Sequence, residues 1–241
     1  MLEKLQPRIK VKICGTTNLK DALLAVENGA DAIGLNFYAD SPRFVQQETA
    51  REICQQLPQL IKVAVFVNET VTTIGQLAQQ IGFDAIQLHG DEPPQTIAEL
   101  SDFKVIRAFR CQEPALQTVQ QYWQQCQQLA TLPEAILLDA YAPGQYGGTG
   151  HSLDWHQLHP LPPSLEGVPW LLAGGLTAAN VAEAIGAAQP HGVDTASGVE
   201  IQPGQKDPLQ VAQFVQAARA ALRRSCSFRC LLRTRMDFNA P

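Results

Sequence analysis

A thiol and a carboxylate stand at the ends of two apolar runs. Lys12-Ile13-Cys14-Gly15 closes the first run of the chain, and Leu137-Leu138-Asp139 closes a much later one. With ordinary pKa values of about 8.5 and 3.9, such a pair can take opposite proton-transfer roles if its surroundings shift them. Residues two apart share a face of a strand, so Lys12 is expected below Cys14, where a cation favours the thiolate. The competing reading of a lone cysteine is a small core hydrophobe. Two glycine-bearing loops form a second constellation: Ala173-Gly174-Gly175-Leu176-Thr177 and Thr195-Ala196-Ser197-Gly198, each after an apolar run and each leading towards a helical start. Such loops offer unhindered backbone N–H groups, and a helix N-terminus adds a dipole favourable to an anion. Gly174, Gly175, Asn180, Ala196, Ser197 and Gly198 are the expected phosphate contacts, which makes the substrate a phosphorylated small molecule. The glycines could instead only permit tight turns.

The elements that must carry these residues alternate regularly. Short β-branched runs at Ile9–Ile13, Asp31–Asn36, Ile61–Phe66, Ala85–Gln87, Lys104–Ala108, Ala135–Leu138, Trp170–Leu172 and Gly192–Asp194 predict eight strands. Helical patterns lie between them at Leu19–Glu27, Gln47–Leu57, Val71–Ile81, Pro94–Leu100, Ala115–Leu129 and Ala178–Ala188, with a short one near Leu153–Leu158 and a last one at Pro208–Leu222. Gly29-Ala30-Asp31-Ala32-Ile33 and Gly82-Phe83-Asp84-Ala85-Ile86 repeat 53 positions apart, and Gly192-Val193-Asp194 echoes them. In each, the glycine is expected to cap a helix in a left-handed conformation and the aspartate to open the next strand. The fold class predicted is α/β, a single-domain (β/α)8 TIM barrel. An open doubly wound sheet is disfavoured, because no GxGxxG follows the first strand. In a barrel the active site lies at the C-terminal ends of the strands. The polar residues there are Cys14, Asn36, Arg43, Asn68, Gln87, His89, Arg107 and Asp139, with the two glycine loops.

Composition narrows the function classes. The 241 residues are 45% hydrophobic and 17% charged, an ordinary globular profile. The net charge of -5 offers no field for a phosphate backbone, so no nucleic-acid partner is expected. No apolar run approaches a membrane span and the start lacks a secretory h-region, so no membrane partner and a cytoplasmic location are expected. Six cysteines show no CxxC and no paired ligand spacing, which argues against a zinc or disulfide framework. Arg223, Arg224, Arg229, Arg233 and Arg235 crowd the end of the chain, whose removal leaves 13 basic and 22 acidic residues. The division predicted is a barrel over 1–222 and a basic, disordered extension over 223–241.

The ordered set of motifs resembles a known family. Lys12-Ile13-Cys14-Gly15-Thr16-Thr17, Gly29 to Gly34 with Ser41-Pro42-Arg43, Val65 to Asn68, and Gln87-Leu88-His89-Gly90-Asp91-Glu92 are similar to phosphoribosylanthranilate isomerase of tryptophan biosynthesis. Leu138-Asp139, Gly147 to Gly150, Asp154-Trp155, Ala173 to Leu176, Asn180-Val181 and Ser197-Gly198-Val199-Glu200 continue the match, which spans about Ile9 to Arg219. The resemblance implies an isomerase that carries out an Amadori rearrangement of N-(5-phosphoribosyl)anthranilate by acid/base catalysis. It implies Cys14 as general base and Asp139 as general acid, Arg43 near the substrate carboxylate, and Gln87 and His89 lining the pocket. No cofactor and no metal are implied, and the protein is expected as a monomer or a homodimer. One departure is His151, where the family often carries a lysine. Rival phosphosugar barrels, such as ribulose-phosphate epimerases or two-aspartate isomerases, would carry an aspartate or a lysine where Cys14 stands. A silent phosphate-binding barrel would have no use for both Cys14 and Asp139.

Overall fold

The structure, a computed structural model, describes residues 9–111, 115–139 and 155–236. Eight parallel strands close into one barrel in sequence order: β1 (Val11–Ile13), β2 (Ala32–Asn36), β3 (Ile61–Phe66), β4 (Ala85–Leu88), β5 (Val105–Arg110), β6 (Ala135–Asp139), β7 (Trp170–Ala173) and β8 (Gly192–Thr195). Ile13 pairs with Ile33 on one side and Thr195 on the other, which closes the ring. The barrel expected from the alternating runs is therefore the fold. Helices α1 (Leu19–Glu27), α2 (Gln47–Gln56), α3 (Val71–Ile81), α4 (Pro94–Glu99) and α5 (Ala115–Gln128) follow the first five strands. After β6 the described chain makes only 3-10 turns at Trp155–Leu158 and Pro163–Leu165, and α6 (Val181–Ala188) follows β7.

Strand alternation sorts side chains into two apolar layers. Ala32, Val63, Ala85, Ile106, Leu137 and Leu171 fill the barrel, while their sequence neighbours pack outward against the helices. The repeat aspartates brace the N-terminal ends of strands: Asp31 Oδ2 accepts the Lys10 and Val11 N–H groups, and Asp84 Oδ2 accepts Lys62 N–H. Gly82, at φ 82°, caps α3 as expected. The third echo behaves differently. Gln189, at φ 51°, caps α6, whereas Gly192 lies within β8, where a Cβ would stand 2.3 Å from the Ile9 carbonyl oxygen. That shift moves Asp194 from the strand's entrance to its third residue, facing into the barrel.

Beyond β8, a hairpin of β9 (Glu200–Gln202) and β10 (Gln205–Lys206) precedes α7 (Pro208–Met236). This helix does not end near Leu222 as its sequence pattern predicts; its backbone is helical to Met236. From Leu209 to Ala240 the chain holds no glycine or proline, so nothing local stops the helix. Gly147–Gly150 and His151 lie outside the described residues.

Candidate active site

The C-terminal mouth of the barrel gathers most of the predicted residues. Cys14 directly follows β1 and stays in the ladder, its N–H donating to the Thr195 carbonyl at 2.7 Å. Below it Lys12 is fully buried, and its Nζ donates to Asp194 Oδ1 at 2.9 Å. Both side chains lie against Gly34 of β2: a Cβ there would stand 2.5 Å from Cys14 Sγ and 3.1 Å from Lys12 Nζ. Burial pushes the Cys14 thiol above its ordinary value of 9.0, and the Lys12 ammonium pulls against that without overcoming it. For Lys12, burial works to discharge the ammonium, but Asp194 and Cys14 outweigh it and its pKa is raised. The expected cation beneath the thiol is thus present, yet it does not make Cys14 a standing thiolate, because burial outweighs it and Asp194 shares it.

Asp139 ends β6, three strands round the wall from β1. His89 Nε2 stands 3.5 Å from Asp139 Oδ2, both side chains 22% exposed. Gln87 Nε2 lies 3.1 Å from His89 Nδ1. An amide nitrogen only donates, so Nδ1 accepts and the ring proton sits on Nε2, towards the carboxylate. Gln87, His89 and Asp139 therefore form one polar chain on the inner wall, and the fully buried Gln87 fixes the ring that meets Asp139.

Arg43 comes from the loop after β2 and lies over Gly15, where a Cβ would be 2.5 Å from Arg43 Cδ. Glu200 holds its guanidinium through Nε at 2.9 Å and Nη2 at 2.6 Å. Lys206, 3% exposed, donates to Glu200 at 2.8 Å and to the carbonyls of Cys14 at 2.6 Å and Ala196 at 3.2 Å. Burial alone would raise the Glu200 pKa, but the hydrogen bonds from Arg43 and Lys206 outweigh it and hold the carboxyl below the usual range. The β9–β10 hairpin thus ties the loops after β1, β2 and β8 into one rim.

The two glycine loops sit side by side. Thr195 Oγ1 donates to the Leu176 carbonyl at 2.7 Å, and a Cβ on Gly198 would come 1.9 Å from that same oxygen. Gly174 and Gly175 have φ of 94° and 63°, a backbone open to glycine. Asn180 accepts Thr177 N–H at 2.8 Å and donates to the Gly175 carbonyl at 3.0 Å, so its side chain shapes the loop.

Arg107 does not belong to this group. It lies on the outer face of β5, its Cζ 5.0 Å and 5.1 Å from the Phe109 and Tyr122 ring centres, with Nη1 on the Leu88 and Ala108 carbonyls and 3.3 Å from Glu92. Even spacing along the strand puts Ile106 and Ala108 inside, and Arg107 with Val105 and Phe109 outside. The sequence reading missed Asp194, Lys206 and the clamp role of Glu200. Asp194 had a signal, an acid two residues into a strand beside one carrying an inward lysine, whereas the hairpin partners had none. Among the described residues no group of three His, Cys, Asp or Glu is arranged to hold a metal ion. No helix there is long and apolar enough to cross a membrane.

Comparison with known proteins fits this arrangement. The sequence model of N-(5'phosphoribosyl)anthranilate (PRA) isomerase matches residues 11–217, most of the chain. The chain belongs to the N-(5'-phosphoribosyl)anthranilate isomerase family. A family member from Geobacter metallireducens is 43% identical over 214 residues, covering 88% of this chain and all of its own. The crystal structure of phosphoribosyl anthranilate isomerase from Thermotoga maritima superposes with a TM-score of 0.77 at 38% identity, covering 88% of this chain and 99% of that one. A second family structure, in complex with reduced 1-(o-carboxyphenylamino)-1-deoxyribulose 5-phosphate, matches with a TM-score of 0.73 at 35% identity over 88% of this chain and 99% of that one.

Proposed function

We propose that the protein isomerises N-(5-phosphoribosyl)anthranilate to 1-(2-carboxyphenylamino)-1-deoxyribulose 5-phosphate, a step of tryptophan biosynthesis, with Asp139 as general acid and Cys14 as general base. The observation that carries this reading is the pairing at one barrel mouth of Cys14, seated on Lys12, with Asp139, held by His89, in a chain of this family. Asp139 delivers a proton to the furanose ring oxygen, and the ring opens to an iminium. The His89 Nε2–H stabilises the carboxylate left behind. Cys14, as thiolate, then removes the C2′ proton; the C–H electron pair becomes the C1′–C2′ double bond and the iminium π pair returns to nitrogen. The enolamine tautomerises to the ketone. Substrate and product have the same formula, so the sequence of steps consumes no redox equivalent, and we assign no cofactor or metal.

Arg43 is assigned to the anthranilate carboxylate, for which a guanidinium already aimed by Glu200 is suited. Backbone N–H groups of Gly174, Gly175, Ala196, Ser197 and Gly198 are assigned to the phosphate, with Asn180 keeping the first loop in shape. We assign catalysis to the barrel and no catalytic role to residues 223–241, and place the enzyme in the cytoplasm. The test follows the loss of anthranilate-type fluorescence when purified protein meets freshly generated phosphoribosylanthranilate. Wild type is expected to quench it rapidly, while Cys14→Ala and Asp139→Asn fold normally and lose about 10²-fold or more in turnover. Rates like wild type in either variant refute the assignment.

A further inference from the structure

The ion pair under Cys14 is unexplained by stability alone. Lys12 has no exposed surface and Asp194 is 6% exposed, inside a barrel whose apolar filling is alanine, valine, isoleucine and leucine. Removing two charges from water costs about as much as their attraction returns, so an apolar pair of the same volume serves folding as well or better. The pair also takes space that a side chain on Gly34 would fill, and both Lys12 Nζ and Cys14 Sγ converge on that space.

Around Cys14, Lys12 from β1, Lys206 from β10 and Arg43 from the loop after β2 supply three cations, against carboxylates on Asp194 from β8 and Glu200 from β9. Asp21 of α1 lies one shell further out, its carboxylate taken by the Lys206 backbone N–H and the Asn18 side chain. Lys12 and Lys206 favour the ionised sulfur and Asp194 opposes it. Lys206 reaches the Cys14 backbone carbonyl, whereas the Lys12 ammonium and the Cys14 sulfur lie against the same point of Gly34.

We propose that Lys12 is a positioning residue for Cys14: its ammonium, aimed by Asp194, holds the sulfur beside Gly34 and stabilises the thiolate during C2′ proton abstraction. This rests on Cys14 as the base. When Sγ accepts the C2′ proton, the thiol re-forms and Lys12 returns wholly to Asp194, so the ammonium moves no proton and only shifts its hydrogen bonding between sulfur and carboxylate. The preceding iminium, itself a cation, meets a site whose negative charge sits on the sulfur.

The test uses Lys12→Met and, because that variant strands a buried carboxylate, Lys12→Met/Asp194→Asn as well. Two curves are read for each: kcat/KM against pH by the fluorescence assay, and the rate of iodoacetamide alkylation of Cys14 against pH, with Cys14→Ala protein as the blank for the other thiols. Both curves are expected to move alkaline by about one pH unit, with roughly a tenfold loss of kcat/KM at pH 7. Curves that keep their wild-type position, with or without a uniform loss of rate, overturn the proposal. Full activity in Cys14→Ala would instead overturn the assignment of the base, and the alkylation curve alone would still report whether Lys12 governs the thiol.

Discussion

Adding one methyl group at Gly34 tests the geometry beneath the thiol. The new Cβ would lie 2.5 Å from Cys14 Sγ, 3.1 Å from Cys14 Cα and 3.1 Å from Lys12 Nζ. Ordinary contact begins near 3.5 Å, so the sulfur must move by about 1 Å. The backbone has little room to yield, because Ile13 pairs with Ile33 across the same ladder and Thr16 N–H donates to the Gly34 carbonyl at 3.0 Å. Misplacing a reacting group by about 1 Å costs on the order of 10²-fold, or about 2.7 kcal/mol of transition-state stabilisation. Overpacking itself should cost about 1–3 kcal/mol of stability. Gly34→Ala is therefore expected to fold, to unfold at lower urea, and to lose roughly 10²-fold in kcat/KM by the fluorescence assay. The control is Gly75→Ala in α3, where nothing lies within 4 Å of the added Cβ; it should gain about 0.5–1 kcal/mol from better helix propensity and leave the rate unchanged. Wild-type kcat/KM in Gly34→Ala would refute the seating of Cys14 against this strand.

Three further outcomes are expected. With Cys14 as the proposed base and its thiol held above its ordinary value by burial, kcat/KM should rise with pH between about pH 7 and 8.5; a flat profile there contradicts the assignment. Glu200→Gln removes the charge that aims Arg43, so KM should rise about tenfold with kcat nearly kept. Equal losses in kcat and kcat/KM would place Glu200 in the chemical step instead. The depressed pKa of Glu200 stabilises the fold above its unfolded value of about 4.5 and is lost as pH falls through the folded one; the variant should therefore lose stability less steeply between about pH 5 and pH 3 in urea titrations.

Local rules carried the architecture a long way. β-branched runs and 3.6-residue periodicity place α1 and α3 at their observed limits, and eight such units in order dictate a barrel. Strand-end position then singles out Cys14, His89 and Asp139, because in a parallel barrel the C-terminal ends share one mouth. The readings that failed depended on facts beyond a single segment. Arg107 is polar and near a strand end, but which face it takes is set by the phase of β5 within the closed sheet, and it points to the helices. Gly192 resembles the two earlier glycines in its local sequence, yet the helix before it ends three residues sooner at Gln189, and that slip turns Asp194 inward.

The sequence by itself determined the alternation of elements, the barrel and the identity of the thiol and the carboxylate, since these follow from periodicity and from residue type at strand ends. Tertiary structure decided the charged surroundings of the thiol. Lys12 and Asp194 lie 182 positions apart and meet only when β1 closes against β8, and Arg43 meets Glu200 across 157 positions. A strand neighbour of opposite charge leaves no periodic trace in either segment. Yet at short range in a low-dielectric interior it sets whether a thiol can give up its proton.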